Sequence, residues 1–382
     1  MKNGAYKLYS AMFNLYSILP LKRGRVALLS PHKAKFTDSL GEMEKELMSR
    51  GGYEIVRISG TDIKPVKPSC FTDNLKNLWR IFLFFTRKAR YLATSEYVFL
   101  NDNFMPMSDL RFKKQTVITQ LWHAEGAFKK FGLDLNLSKS VYERVKKGNE
   151  RLDYVVCSSE KVAPIYAGAF GVLLKKVLPL GSPRADRYIS GADSTAAKEF
   201  LKKHSIDPCK GIVLYAPTFR DNEDDNRRLL ESFDFDKFNS RFKDKYTLVL
   251  RLHPQINSGV KIPEGVVNMT DLENADELFY AADILVTDYS SICMNFALLG
   301  KPIVFYAFDL KKYGSDRSFY FDYKEYVPGP VAETFDDLLD AVETARANGD
   351  KLKKFIEINF DKNDGGSAKR IADAVTSRKR NL

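Results

Sequence analysis

The chain opens in helical steps. Tyr6, Tyr9, Phe13 and Tyr16 stand three and four positions apart, one face of a helix that Pro20 ends. Its flanks are basic (Lys2, Lys7, Lys22, Arg23, Arg25), with no acid before residue 31. Two readings fit: an interfacial helix lying on a lipid surface, or a helix packed on its own domain. The period then changes. Arg25–Ser30 is a short apolar run, the mark of a buried strand, followed by the loop Pro31–Ser39, a helix near 40–50 and a strand in Tyr53–Ser59. Leu75–Arg90 contains LWRIFLFF and then TRKAR. Apolar on all sides and basic in its last turn, it reads as a buried crossover helix.

Beyond it, apolar runs at Tyr97–Leu100, Thr116–Leu121, Asp153–Cys157 and Val177–Leu180 alternate with helical segments. A polar stretch, Ser190–Thr195, and a helix near Ala196–His204 separate these from a second set. That set is Gly211–Tyr215, Tyr246–Arg251, Val266–Met269, Ile284–Thr287 and Pro302–Tyr306. Strands alternating with helices favour parallel sheets with crossover helices. The expected class is α/β, with two successive Rossmann-like domains at 1–188 and 189–382. The last helix is a candidate to pack back on the first domain.

A chain of 382 residues is long enough for two domains. Phe 27 and Tyr 19 supply enough apolar area to exclude disorder as the main state. No run approaches the roughly 18 apolar residues of a spanning helix, and no secretory signal is present. Cys70, Cys157, Cys209 and Cys293 form no CxxC pair and read as buried thiols of a reducing compartment. Charge narrows the partners. Sixty basic against 49 acidic residues give +11, a field that favours nucleic acid, anionic lipid or phosphorylated substrates. Lys76, Arg80, Arg87, Lys88 and Arg90 add a second acid-free basic stretch among aromatics. With no RNP-type aromatic motif and no recognition-helix pattern, nucleic acid is set aside.

In open parallel sheets ligands bind beyond the carboxyl ends of the strands, so polar residues there carry the chemistry. Four places qualify. Trp122-His123-Ala124-Glu125-Gly126 puts a histidine at a strand end before a turn, where it can serve as a general base or simply bond a carbonyl. Thr218 and Arg220 stand in the turn of YAPTFR. Arg251 and His253 alternate with Leu250 and Leu252, so both project to one side and suit a phosphate. Thr287-Asp288-Tyr289-Ser290-Ser291 opens a helical run, where hydroxyls and unpaired N–H groups make an anion site. No GxxxxGK[ST] or HExxH pattern occurs and no DxD stands in these motifs, so neither a P-loop nor a metal cage is expected.

WHAEGAFKKFG, YAPTFR, LRLHP, ADILVTDYSS, KPIVFY, RSFYFDYKEYVPGP and the closing DGGSAKRIAD stand in the order of the CDP-glycerol glycerophosphotransferase family of teichoic acid synthesis. The resemblance runs from the segment at Lys33–Ser39 to about residue 375. It implies a GT-B fold, two Rossmann-like domains facing across a cleft. It implies transfer of a polyol phosphate, glycerol phosphate first, from a CDP-linked donor to a hydroxyl of an undecaprenyl-linked saccharide or growing chain, with release of CMP. His123 matches the family's tryptophan–histidine motif and His253 its arginine–x–histidine–proline motif. Thr287, Asp288, Ser290 and Ser291 fall on its donor motif, which Arg251, Thr218 and Arg220 extend. Trp122, Glu125, Lys129 and Asp38 are acceptor-side candidates. Many members have Gly-Thr-Pro where Ala124-Glu125-Gly126 stands here, which bears on acceptor contacts. No cofactor beyond the CDP-linked cosubstrate is implied, and the place of action is the cytoplasmic face of the membrane, peripherally bound to its anionic surface. Self-association is left open. Rival readings are a CDP-ribitol-dependent transferase, a nucleotide-sugar glycosyltransferase and an inert binding module.

Overall fold

The computed structural model describes residues 2–63, 71–189, 194–253, 256, 262–272, 275–316, 318–347 and 349–377. Cys70, Ser190–Asp193, Pro254 and Arg317 lie outside them.

The chain divides into two units: 1–126 with 131–186 and 360–382, and 127–130 with 187–359. In the first, β1 (Lys22–Leu29), β2 (Glu54–Ile58), β3 (Ser95–Leu100), β4 (Val117–Gln120), β5 (Tyr154–Cys157) and β6 (Val177–Pro179) form a sheet in the order β2-β1-β3-β4-β5-β6. In the second, β7 (Gly211–Tyr215), β8 (Tyr246–Leu250), β9 (Val266–Asn268), β10 (Ile284–Thr287), β11 (Ile303–Tyr306) and β12 (Val331–Ala332) run in the order β12-β11-β10-β7-β8-β9. Every strand pair described is parallel. Strands covered by helices on both faces need near-continuous apolar runs, and β10, ILVT, is buried at all four positions. Both sheets reverse direction of winding once, between β1 and β3 and between β7 and β10. A doubly wound sheet opens its ligand crevice there.

The first core packs Val26, Leu28, Phe99 and Val117 under Leu40, Met43 and Leu47 of the Ser39–Arg50 helix. Ile371, Ala372 and Val375 of the last helix, Ser367–Thr376, complete it. That helix is fastened by Asp186, which accepts bonds from both the N–H and the hydroxyl of Ser367 at 2.7 Å, and by Arg50, which meets Asp373 at 2.7 Å. The DGGSAKRIAD segment is therefore a clasp on the first unit.

Three expectations are corrected. The aromatic face of the Lys2–Tyr16 helix turns inward: Tyr9 and Phe13 are buried, their rings 4.4 Å from Phe84 and 4.8 Å from Phe112. What it exposes instead is Leu8 and Leu15, with Ile18 just beyond. Leu75–Arg90 is not a buried helix. The Phe71–Leu83 helix leaves Leu75, Leu78, Trp79 and Phe82 exposed before a π-helical turn at Phe84–Lys88 and a last segment, Ala89–Ala93. A helix apolar all round packs one face on its domain, and the opposite face stays out. Cys209 is exposed, whereas Cys157 and Cys293 are buried.

Candidate active site

In the first unit the site assembles from the ends of β1, β3 and β4. Trp122 follows β4 with a φ of 59°, a left-handed conformation that costs a bulky residue on the order of 1–3 kcal/mol. The surroundings impose it. Its N–H donates to Gln120 Oε1 at 2.9 Å, and its ring is held against Phe131 and Phe170 at 5.3 and 5.2 Å. The kink turns His123 outward from the sheet, 39% exposed. Its Nδ1 lies 3.2 Å from the Asn101 carbonyl oxygen and 3.5 Å from Asp102 Oδ2. A proton on Nδ1 donated to that carbonyl leaves the Nε2 lone pair available to accept one. Loss of solvent around the ring pulls the His123 pKa below its ordinary value, against Asp102, Asn101 and Glu125, which raise it, and with Lys33, which lowers it. A neutral imidazole near neutral pH is the form a general base requires.

Behind it, Asp38 caps the Ser39–Arg50 helix through the Leu40 N–H. It also takes bonds from Asn101 Nδ2 at 2.6 Å and Lys33 Nζ at 2.9 Å. Burial would raise its pKa, but Lys33, Asn101 and the Leu40 N–H together hold it below the usual carboxylate range. Asp38 thus fixes the loop that carries Asn101, and through it the ring of His123. Glu125 is buried and accepts from Ser182 Oγ at 3.2 Å, facing the packed interior. Trp122 is likewise a packing residue. Two residues beyond the sequence candidates complete the cluster: Asp102, and His32, whose Nε2 stands 3.8 Å from Asp102 Oδ2. The loop of His32 lies so close to Gly60 that a Cβ there would meet the His32 carbonyl carbon at 2.9 Å. The polar run Asn101-Asp102-Asn103 directly after an apolar strand was the available signal for Asp102.

In the second unit the residues at the ends of β7 and β10 are bound mainly to one another. Arg220 is buried, its guanidinium donating to Asp288 at 2.9 Å and to Asp309 at 2.8 and 3.0 Å, beside the rings of Tyr289 and Tyr313, which stack on each other. Desolvation opposes its charge, but the two aspartates win and push its pKa up. Asp288 also accepts the N–H groups of Thr218 and Tyr289, and Thr287 Oγ1 donates to the Ala216 carbonyl. Arg220, Asp288 and Thr287 therefore brace the crevice rather than face it. Thr218 Oγ1, by contrast, is buried with no hydrogen-bond partner among the described residues. Ser290 Oγ accepts from the Ile292 N–H at 3.4 Å, while Ser291, at the start of the Ile292–Ala297 helix, makes no side-chain cap.

One strand over, beyond β8, Leu252 is buried and Arg251 and His253 point the other way, half-buried and exposed. The His253 ring lies 4.5 Å from Phe219. Its pKa is lowered by desolvation first, then by the positive charges of Arg251 and Lys129. Lys129 belongs to the second unit, through the 127–130 segment that bridges to Phe319. Placed with the acceptor candidates from sequence, it stands in the field of His253. The FYFDYKEYVPGP segment is structural: Tyr323 OH donates to the Asp288 carbonyl, Tyr326 OH to Ala127 and Asn359, and a Cβ on Gly329 would collide with the Ile303 carbonyl at 1.8 Å.

Two doubly wound units in one chain, each with polar groups at its strand ends, make a GT-B-like architecture. A solved structure of the wall teichoic acid polymerase TagF shares it, with a TM-score of 0.77 at 20% identity, covering 98% of this chain and 95% of that one. The family model of CDP-glycerol:poly(glycerophosphate) glycerophosphotransferases matches residues 11–377, and the chain belongs to that family. Among its relatives are the teichoic acid poly(ribitol-phosphate) polymerase of Bacillus spizizenii, 29% identical over 96% of this chain and 58% of that protein. The ribitol-phosphate primase of the same organism is 30% identical, covering 98% and 94%. The glycerol-phosphate primase of Bacillus subtilis is 34% identical over 75% of each. The chain thus spans a little over half the length of the first of these.

Proposed function

We propose that the protein transfers a polyol phosphate from a CDP-linked donor to a hydroxyl of a lipid-linked saccharide or growing polyol-phosphate chain. His123 Nε2 takes the acceptor proton as the oxygen bonds to the β-phosphorus. The bond from that phosphorus to the bridging oxygen breaks, and CMP leaves with the electron pair. Arg251, Lys129 and a His253 that takes up a proton as donor binds supply positive charge to the pyrophosphate while negative charge develops on the leaving group. The observation that carries this reading is the contrast between a neutral histidine anchored by a carbonyl and a second histidine set among cations. A TagF crystal soaked with CDPG supports a CDP-linked donor.

Glycerol phosphate is the first expectation. The relatives aligned over nearly all of this chain that carry ribitol in their names favour ribitol phosphate as a second. Incubation with CDP-glycerol or CDP-ribitol and a lipid-linked disaccharide, read by mass spectrometry, decides between them. Release of CMP with neither donor defeats the proposal.

The place of action we infer is a membrane surface, bound peripherally. Among the described residues no helix is long and apolar enough to cross a membrane. Support comes from Leu8, Leu15, Leu75, Leu78, Trp79 and Phe82, exposed on two helices that carry basic side chains, and from Ile18 just past the first. Trp79→Ser with Phe82→Ser is expected to reduce co-sedimentation with anionic vesicles several-fold at low salt. Unchanged sedimentation removes these helices from the surface.

A further inference from the structure

A cavity of about 290 Å³ lies inside the first unit, walled by Tyr9 of the first helix, by Ile81, Phe84 and Phe85, and by Phe104. Its lining is overwhelmingly apolar, with His32, Asp62 and Asn103 as the polar exceptions. Packed interiors rarely leave such space: an apolar hole of about 150 Å³ already stays dry and takes up a ring-sized ligand. Two further observations show that it is built. Phe84 and Phe85 reach it together because a π-helical turn begins at Phe84, a feature that costs regular hydrogen bonding and concentrates at functional sites. Tyr9 is buried, and its hydroxyl has no hydrogen-bond partner among the described residues.

The position identifies the occupant. His32 is in the wall, and its ring stands 3.8 Å from the same Asp102 oxygen that lies 3.5 Å from His123. The cavity therefore opens one carboxylate away from the proposed base. Its outer helices are those that expose Leu8, Leu75, Leu78 and Phe82. We propose that it holds the hydrocarbon segment nearest the head group of the acceptor itself. This rests on the reading of His123 as the acceptor-side base.

The test has a binding arm and a kinetic arm. Titration calorimetry of the full chain with decyl maltoside, below its micelle concentration, is expected to give saturable binding at one site. Ala5→Phe, at the exposed rim, narrows the cavity and is expected to weaken binding about tenfold, since packed space tolerates little added volume. Ile63→Phe, on the opposite wall, repeats the first change should Ala5→Phe lower the melting temperature. In the kinetic arm, Ala5→Phe is expected to raise KM for a saccharide on a decyl chain about tenfold more than KM for its methyl glycoside. Absence of saturable binding, or binding unaltered in both variants, overturns the proposal. So does lost binding without a KM difference, because bulk lipid is then the occupant. If neither acceptor supports transfer, the catalytic reading falls while the calorimetry still decides the cavity.

Discussion

His123 and His253 stand at equivalent places, each just past the end of a strand in its own sheet, yet their neighbours are opposite. Around His123 the charges are chiefly carboxylates, Asp102 and Glu125, which favour the imidazolium. Around His253 they are Arg251 and Lys129, which oppose it. Desolvation lowers both pKa values, so both rings are neutral at rest, for different reasons. A ring facing a carboxylate is ready to accept a proton and keep it while charge develops. A ring among cations gains a proton when an anion arrives. Two environments thus separate a base from an anion contact, as acid and base roles are divided elsewhere by their surroundings.

Removing the base tests this division most severely. His123→Ala is expected to lower the single-turnover rate by about 10²–10⁴ while donor affinity by calorimetry changes less than about twofold. A rate near that of the wild type would take the proton-accepting role from His123. In the second unit the comparison runs between two arginines. Arg220→Ala leaves Asp288 and Asp309 buried without their cation and is expected to cost about 3–5 kcal/mol in chemical denaturation. Arg251→Ala is expected to weaken donor binding about tenfold with little loss of stability. If Arg220→Ala unfolds no more easily than Arg251→Ala, the bracing role is wrong.

Period alone located eleven of the twelve strands, because buried parallel strands have to be continuous apolar runs. It missed β12, two residues long, whose pairing with β11 no local pattern encodes. The rule that ligands gather at strand ends also found the right loops. It could not say which side chain in a loop faces the ligand and which turns back to hold the loop. Arg220 and Asp288 are the plainest case: charged, in matching motifs, and spent on each other. Lys129 shows a second limit, since four residues of one unit's sequence stretch fold with the other. The Phe71–Leu83 helix shows a third. Apolar composition reports that a surface avoids water without reporting whether protein or something else covers it.

Asp102 sharpens the first half of the comparison. As a positioning residue it acts through His123, so Asp102→Asn is expected to lower kcat about 10–100-fold, with donor affinity kept. The sign of its pH effect is fixed by the charge removed. Without the carboxylate the imidazolium is less favoured, the His123 pKa falls further, and the acid limb of kcat/KM moves to lower pH. A reduced rate with an unmoved limb would leave Asp102 a structural residue.

The smallest effect belongs to His253. Arg251, Lys129 and desolvation hold its pKa below the ordinary value, so most of the rings are neutral before donor binds near neutral pH. A bound pyrophosphate brings negative charge into that field and raises the pKa, so binding takes up protons. Uptake is expected to be greatest between about pH 6 and 7.5, around the ordinary histidine value. Calorimetric titration of CDP-glycerol in buffers of different ionisation enthalpy measures it directly. His253→Gln, which keeps a hydrogen-bonding side chain but cannot titrate, is expected to abolish the buffer dependence while weakening affinity only several-fold. Uptake that persists in His253→Gln assigns the proton to another group. Absence of uptake would mean that the ring is already charged among its cations, and the two histidines would then differ less than their neighbours do.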